Sequence, residues 1–209
     1  MSGPGKPPTG PFTANDKTWR KGEPLHRIHR PAFAADAFNL CAGGPSRFAP
    51  LFEVSGACIP TMYAGSDFTC AVHESIFHDV PMHGHKSIRE SLLDEFVYSI
   101  LMPQADLPLA NLTSEGLMKI KAPRSLTECE PDGYDETVLW AQALHRHNPA
   151  FEGLFWVSRR YNEGRAMALF GDRIAKGMLQ VQHGQIPLRY FQTEIDGIAA
   201  RCDIDINRR

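Results

Sequence analysis

The chain has 209 residues, of which 43% are hydrophobic and 22% charged, with a formal net charge of −2 at pH 7. Such a length and composition fit one globular domain with a full-sized core. The near-neutral balance argues against direct binding to nucleic acid through bulk charge, and no apolar run approaches the roughly 18 residues of a membrane span.

Residues 1–15, MSGPGKPPTGPFTAN, are rich in Gly and Pro and offer few core side chains. Residues 1–20 are therefore expected to form a flexible tail, and 21–209 a single domain. The stretch 25–30 alternates apolar and basic residues up to Pro31, the pattern of a first strand. Residues 34–40 suit a short helix, and 41–48 form a glycine-rich loop containing Gly43, Gly44 and Arg47. A short strand over 61–64 ends beside Tyr63. Ser66 or Asp67 then caps a helix predicted to run to Asp79, with Phe68, Val72, Ile76 and Phe77 as its apolar stripe. Further helical turns are expected over 88–93 and 114–121, and strands over 95–102 and 107–112. A full helix follows over 134–147. The runs 153–158 and 165–170 read as a hairpin, 178–182 and 186–191 as edge strands, and 194–201 as a last helix. The class is α+β, a mostly antiparallel twisted sheet with flanking helices.

The five cysteines, at 41, 58, 70, 129 and 202, are odd in number and scattered, without a CxxC pair. That pattern favours reduced thiols and a cytoplasmic setting over a disulfide framework or a Cys-based zinc site.

Several short motifs in order resemble the RES domain family: Leu25-His26-Arg27-Ile28, Gly43-Gly44, Arg47-Phe48, Met62-Tyr63-Ala64, Val72-His73-Glu74 and the 153–158 strand ending in Ser158. The resemblance implies a fold like that of ADP-ribosyltransferase toxins. It also implies cleavage of NAD at the nicotinamide–ribose bond, with water or inorganic phosphate as acceptor. NAD is then a substrate, and no resident cofactor or metal is implied. By position, Glu74, Arg27 and Tyr63 match the family's catalytic residues. Arg47, Ser158, Thr137, Gly43 and Gly44 match its substrate-binding positions. The family further suggests a toxin of a toxin–antitoxin pair with a helix-turn-helix antitoxin, and leaves a homodimer open.

The residues suit that chemistry. Leaving of nicotinamide builds positive charge on the ribose, and a carboxylate such as Glu74 stabilises it. Guanidinium groups grip phosphate in a planar, bidentate way, which suits Arg27 and Arg47 to a dinucleotide. Tyr63 offers a ring for stacking and a hydroxyl. Three alternatives stand beside this reading: ADP-ribosyl transfer onto a macromolecule, a non-catalytic nucleotide-binding module, and a metal-dependent hydrolase. The last would use His73, Glu74, His78, His83 and His85. On a continuous helix, however, His73 and His78 would lie roughly 140° apart, too far round to share an ion. Cys70, in the first turn of its helix, is a further candidate nucleophile.

Overall fold

A computed structural model describes residues 3–208. The elements in chain order are β1 (Asp16–Trp19), β2 (Leu25–His29), β3 (Leu51–Phe52), β4 (Cys58–Ile59), β5 (Thr61–Gly65) and α1 (Phe68–His73). Next come β6 (Ser87–Arg89), β7 (Val97–Pro103), β8 (Leu107–Asn111), α2 (Ser114–Ile120), α3 (Ser125–Glu128) and α4 (Tyr134–His147). The chain closes with β9 (Gly153–Val157), β10 (Arg165–Phe170), β11 (Leu179–Pro187), α5 (Gln192–Arg201) and β12 (Asp205–Asn207). Eight strands form one sheet in the order β1-β8-β9-β10-β5-β2-β7-β11. All its neighbours are antiparallel except β8 and β9. This is the expected α+β class.

Strand alternation divides the core between the two faces of that sheet. On β9, Leu154 and Trp156 face α4, where they join Phe48, Leu51, Trp140 and Leu144. Phe155 between them joins Trp19, Met62, Leu109 and Met167 on the other face. A third cluster, built from Val72, Ile76, Phe77, Leu93, Tyr98, Ile195 and Ile198, packs α5 beside α1.

Four local differences separate this fold from the sequence expectation. Residues 3–20 are not a free tail. They carry β1, which pairs with β8, and Gly5 is held by Glu136 and by the Trp140 indole at 2.8 and 2.9 Å. Phe12 also packs edge-on against Trp140. The expected helix over 34–40 is absent; Asn39 instead makes a bridge to Thr61. Residues 178–182 and 186–191 do not form two strands, because β11 runs through Pro187 with irregular register against β7.

The fourth difference concerns cysteine. Cys41 and Cys58 are joined by a disulfide, with Cα atoms 6.0 Å apart, against the expectation of reduced thiols. The intervening chain doubles back through the β3–β4 pairing, where Phe52 faces Cys58, and so returns Cys58 to Cys41. Cysteine spacing alone does not reveal that reversal.

Candidate active site

β5 delivers Tyr63 and then turns into α1. The turn is tight: a Cβ on Gly65 would lie 2.9 Å from the Ala71 amide nitrogen, so a larger residue would push the helix off the strand. Asp67 caps α1 by accepting from the Cys70 N–H at 2.8 Å. The helix stops at His73, well short of Asp79. The Ser75 hydroxyl donates to the Ala71 carbonyl at 2.5 Å, and the Phe77 amide turns back to the Val72 carbonyl. Such side-chain competition for a helical acceptor breaks the ladder. Glu74 therefore sits on the helix end, with φ −85° and ψ 0°, instead of on a helix face.

There Glu74 meets the end of β9. Ser158 Oγ donates to Glu74 Oε1 at 2.6 Å and accepts from the Tyr161 amide at 3.2 Å. Ser158 is fully buried, so its rotamer is fixed by these two bonds. Glu74 opens onto a cavity of about 490 Å³ lined also by Arg47, His78, Glu130, Tyr134, Arg159 and Arg160.

The cationic side of this cavity is held from several directions. Arg47 is 5% exposed, donates to the Cys129 carbonyl at 3.1 Å, and lies over the Tyr134 ring at 5.5 Å. Arg159 pairs with Glu130, which holds the Glu130 carboxyl below its usual range and raises the Arg159 pKa. Arg160 donates to the Val80 carbonyl and has no carboxylate partner among the described residues; burial lowers its pKa. His78 bridges Asp79 at 2.8 Å and the Tyr134 hydroxyl at 3.1 Å.

The remaining candidates separate. Tyr63, Gly43, Gly44 and Arg27 line another cavity, of about 370 Å³. Ser46 lines that cavity and its neighbour Arg47 lines the Glu74 cavity, so the 46–47 backbone lies between the two. The Tyr63 hydroxyl accepts from the Phe48 amide at 2.8 Å and contacts Ser46 at 3.1 Å. Burial pushes its pKa up to about 12, so Tyr63 stays protonated and clamps the arginine loop. Arg27 shares the side of β2 that holds Leu25, and donates to the Ala35 carbonyl at 2.6 Å. Burial lowers its pKa to about 10, which leaves it cationic. Thr137 lines neither cavity. It is fully buried on α4 and donates to the carbonyls of Arg47 and Tyr134, the latter at 3.0 Å, fixing the Arg47 backbone.

Two sequence alternatives lose their geometry. His73 turns toward Cys202 while His78 holds Asp79, and no group of three or more His, Cys, Asp or Glu is arranged to hold a metal among the described residues. Cys70 is fully buried, and burial followed by the Glu74 charge raises its thiol pKa to about 12, the reverse of an activated nucleophile. The sequence reading missed Arg159, Arg160 and Tyr134 as cavity residues. The signal available was the Arg-Arg pair directly after Ser158, which must emerge where β9 ends.

Fold and site together define an α+β domain, built on one eight-stranded sheet, whose half-buried carboxylate faces an arginine-walled cavity. The RES domain family model matches residues 24–189, most of the chain, and the protein belongs to that family. The chain is also similar in fold to a chain of the M. tuberculosis MbcT–MbcA toxin–antitoxin complex. That likeness has a TM-score of 0.57 at 15% sequence identity, covering 84% of this chain and 90% of the other. No curated protein matches it.

Proposed function

We propose that the protein is an NAD-degrading enzyme that cleaves the nicotinamide–ribose bond and passes the ADP-ribosyl group to water or inorganic phosphate. The observation carrying this reading is the Glu74 carboxylate, fixed by Ser158 at 2.6 Å on a cavity walled by Arg47, Arg159 and Arg160. Nicotinamide leaves as a neutral base, so no general acid is required. What the reaction requires is negative charge beside the ribose as it becomes cationic, and cations for the pyrophosphate. Glu74 supplies the first, while Arg47 with its two partners supplies the second. A volume of about 490 Å³ lies within the usual range for a small-molecule site.

Membership of the RES family and the likeness to a toxin–antitoxin complex support a toxin role, with a helix-turn-helix antitoxin covering this mouth. The substrate on this proposal is the cytoplasmic NAD pool. No helix among the described residues is long and apolar enough to cross a membrane.

The test is product analysis of purified protein with NAD, with and without added phosphate. Free nicotinamide with ADP-ribose marks a glycohydrolase. A phosphorylated ADP-ribose appearing only with phosphate marks a phosphorylase. Stable NAD binding without nicotinamide release would overturn the enzymatic reading, and label transferred to protein or nucleic acid would favour a transferase.

A further inference from the structure

Behind α1 lies a cavity of about 380 Å³ that the reaction does not use. His73, Lys86, Arg160, Arg201, Cys202 and Asp203 line it, with Phe77 and Ile204. Its cations arrive from three separate parts of the chain: Lys86 before β6, Arg160 after β9, and Arg201 at the end of α5. None of the three is paired with a carboxylate among the described residues. Lys86 donates to the Cys202 carbonyl at 2.6 Å, and among the described residues Arg160 donates only to the Val80 carbonyl and the Met82 sulfur. A single lining carboxylate, Asp203, opposes them.

His73 reports the resulting field. It is 5% exposed, and its pKa is lowered to about 4, first by burial and then by Arg160 and Arg201. Among the described residues its Nε2 has the Cys202 sulfur as its one hydrogen-bond contact, at a long 3.9 Å. Unpaired like charges held together are costly, and a bound anion is the usual remedy. We propose that this cavity is a second anion site, for a small phosphate-bearing molecule with at least two negative charges. Lys86 and Arg201 grip it at the rim and Arg160 at the inner wall. Arg201, Cys202, Asp203 and Ile204 lie beyond the residues that match the RES family, so the C-terminal segment completes this site.

The site adjoins the catalytic cavity. Arg160, Pro81 and Met82 line both, and Arg160 ties down the 80–82 loop at the rim of the Glu74 cavity. An anion that engages Arg160 from behind competes with those ties and alters access to Glu74. This coupling rests on the proposed NAD cleavage, whereas binding itself does not.

Inorganic pyrophosphate is the probe, measured by calorimetry at ionic strength matched with sodium chloride. Wild type is expected to bind it, and a Lys86→Gln/Arg201→Gln variant to bind about tenfold more weakly or worse. Arg47→Gln, altered only in the catalytic cavity, should keep this binding. Arg201→Glu alone, at an exposed position, should also remove this binding event, leaving only pyrophosphate held in the catalytic cavity, and guards against misfolding of the double variant. Absence of binding in wild type overturns the site. So does equal binding in the Lys86/Arg201 variant, or loss confined to Arg47→Gln. For the coupling, at saturating NAD, where competition in the catalytic cavity is suppressed, pyrophosphate should change nicotinamide release in wild type more than in Arg201→Glu; an equal effect in the two proteins, or none in wild type, overturns it.

Discussion

Ser158 and Glu74, 84 residues apart in sequence, are joined by a 2.6 Å hydrogen bond from hydroxyl to carboxylate. The bond holds one carboxylate oxygen and leaves the other available to a substrate. Glu74→Gln keeps an acceptor for Ser158 but removes the charge. It should fold with a melting temperature near wild type and lose NAD cleavage by about 10²-fold or more. Ser158→Ala removes the donor and strands the Tyr161 amide. It should cost about 1 kcal/mol of stability and a smaller share of activity. Nicotinamide release with parallel thermal melts reads both, and a fully active Glu74→Gln protein would sink the assignment.

Arg47 provides the test of substrate grip. Its guanidinium is buried, lies over Tyr134 and reaches the Cys129 carbonyl. Lysine keeps the charge but loses the planar fork and the stacking. Arg47→Lys should therefore raise KM for NAD by about tenfold while kcat falls less, because the phosphates are bound in ground and transition state alike. Steady-state kinetics decide this; a change confined to kcat would place Arg47 at the reacting centre instead.

Much of this arrangement is legible in the sequence, for reasons that also explain the misses. The strand 153–157 and its partner 165–170 are long apolar runs, and helix 134–147 is long and periodic, so local pattern and tertiary need agree. Glu74 and Ser158 can be singled out, but only the fold shows that they touch. The sequence misplaces the end of α1 because Val72, Ile76 and Phe77 continue a helical stripe past the point where Ser75 captures a backbone carbonyl. Thr137 can be singled out as a residue, but its bond to the Arg47 carbonyl is a tertiary contact that no local pattern signals. The same holds for Arg27, whose strand register turns it to Ala35 and away from Glu74.

Buried histidines set the acid response, His29 and His73 foremost, with His145 and half-buried His26 lowered in the same direction. Burial lowers His29 and His73 from the ordinary 6.5 to about 4. Between those values the unfolded chain holds protons that the folded protein does not. Stability therefore rises with pH up to about 6.5 and falls as the pH drops toward about 4, His29 and His73 together contributing a slope approaching two protons. Denaturant titrations across that range should show the decline, and His29→Gln or His73→Gln should each flatten it. Equal slopes in the variants would assign the acid response to other groups.

The Cys41–Cys58 disulfide closes the loop that carries Gly43, Gly44 and Arg47. The sequence separation of 17 residues predicts about 3 kcal/mol of stabilisation through the unfolded chain. Because Cys41, Gly43, Gly44 and Ser46 all line the Tyr63 cavity, opening the ring should also loosen that wall. Reductant, or a Cys41→Ser/Cys58→Ser variant, should lower the denaturation midpoint and raise KM for NAD. The Glu74–Ser158 pair, held on other elements, should keep kcat nearly unchanged. Coincident midpoints with and without reductant would show that the bond adds nothing to stability in solution.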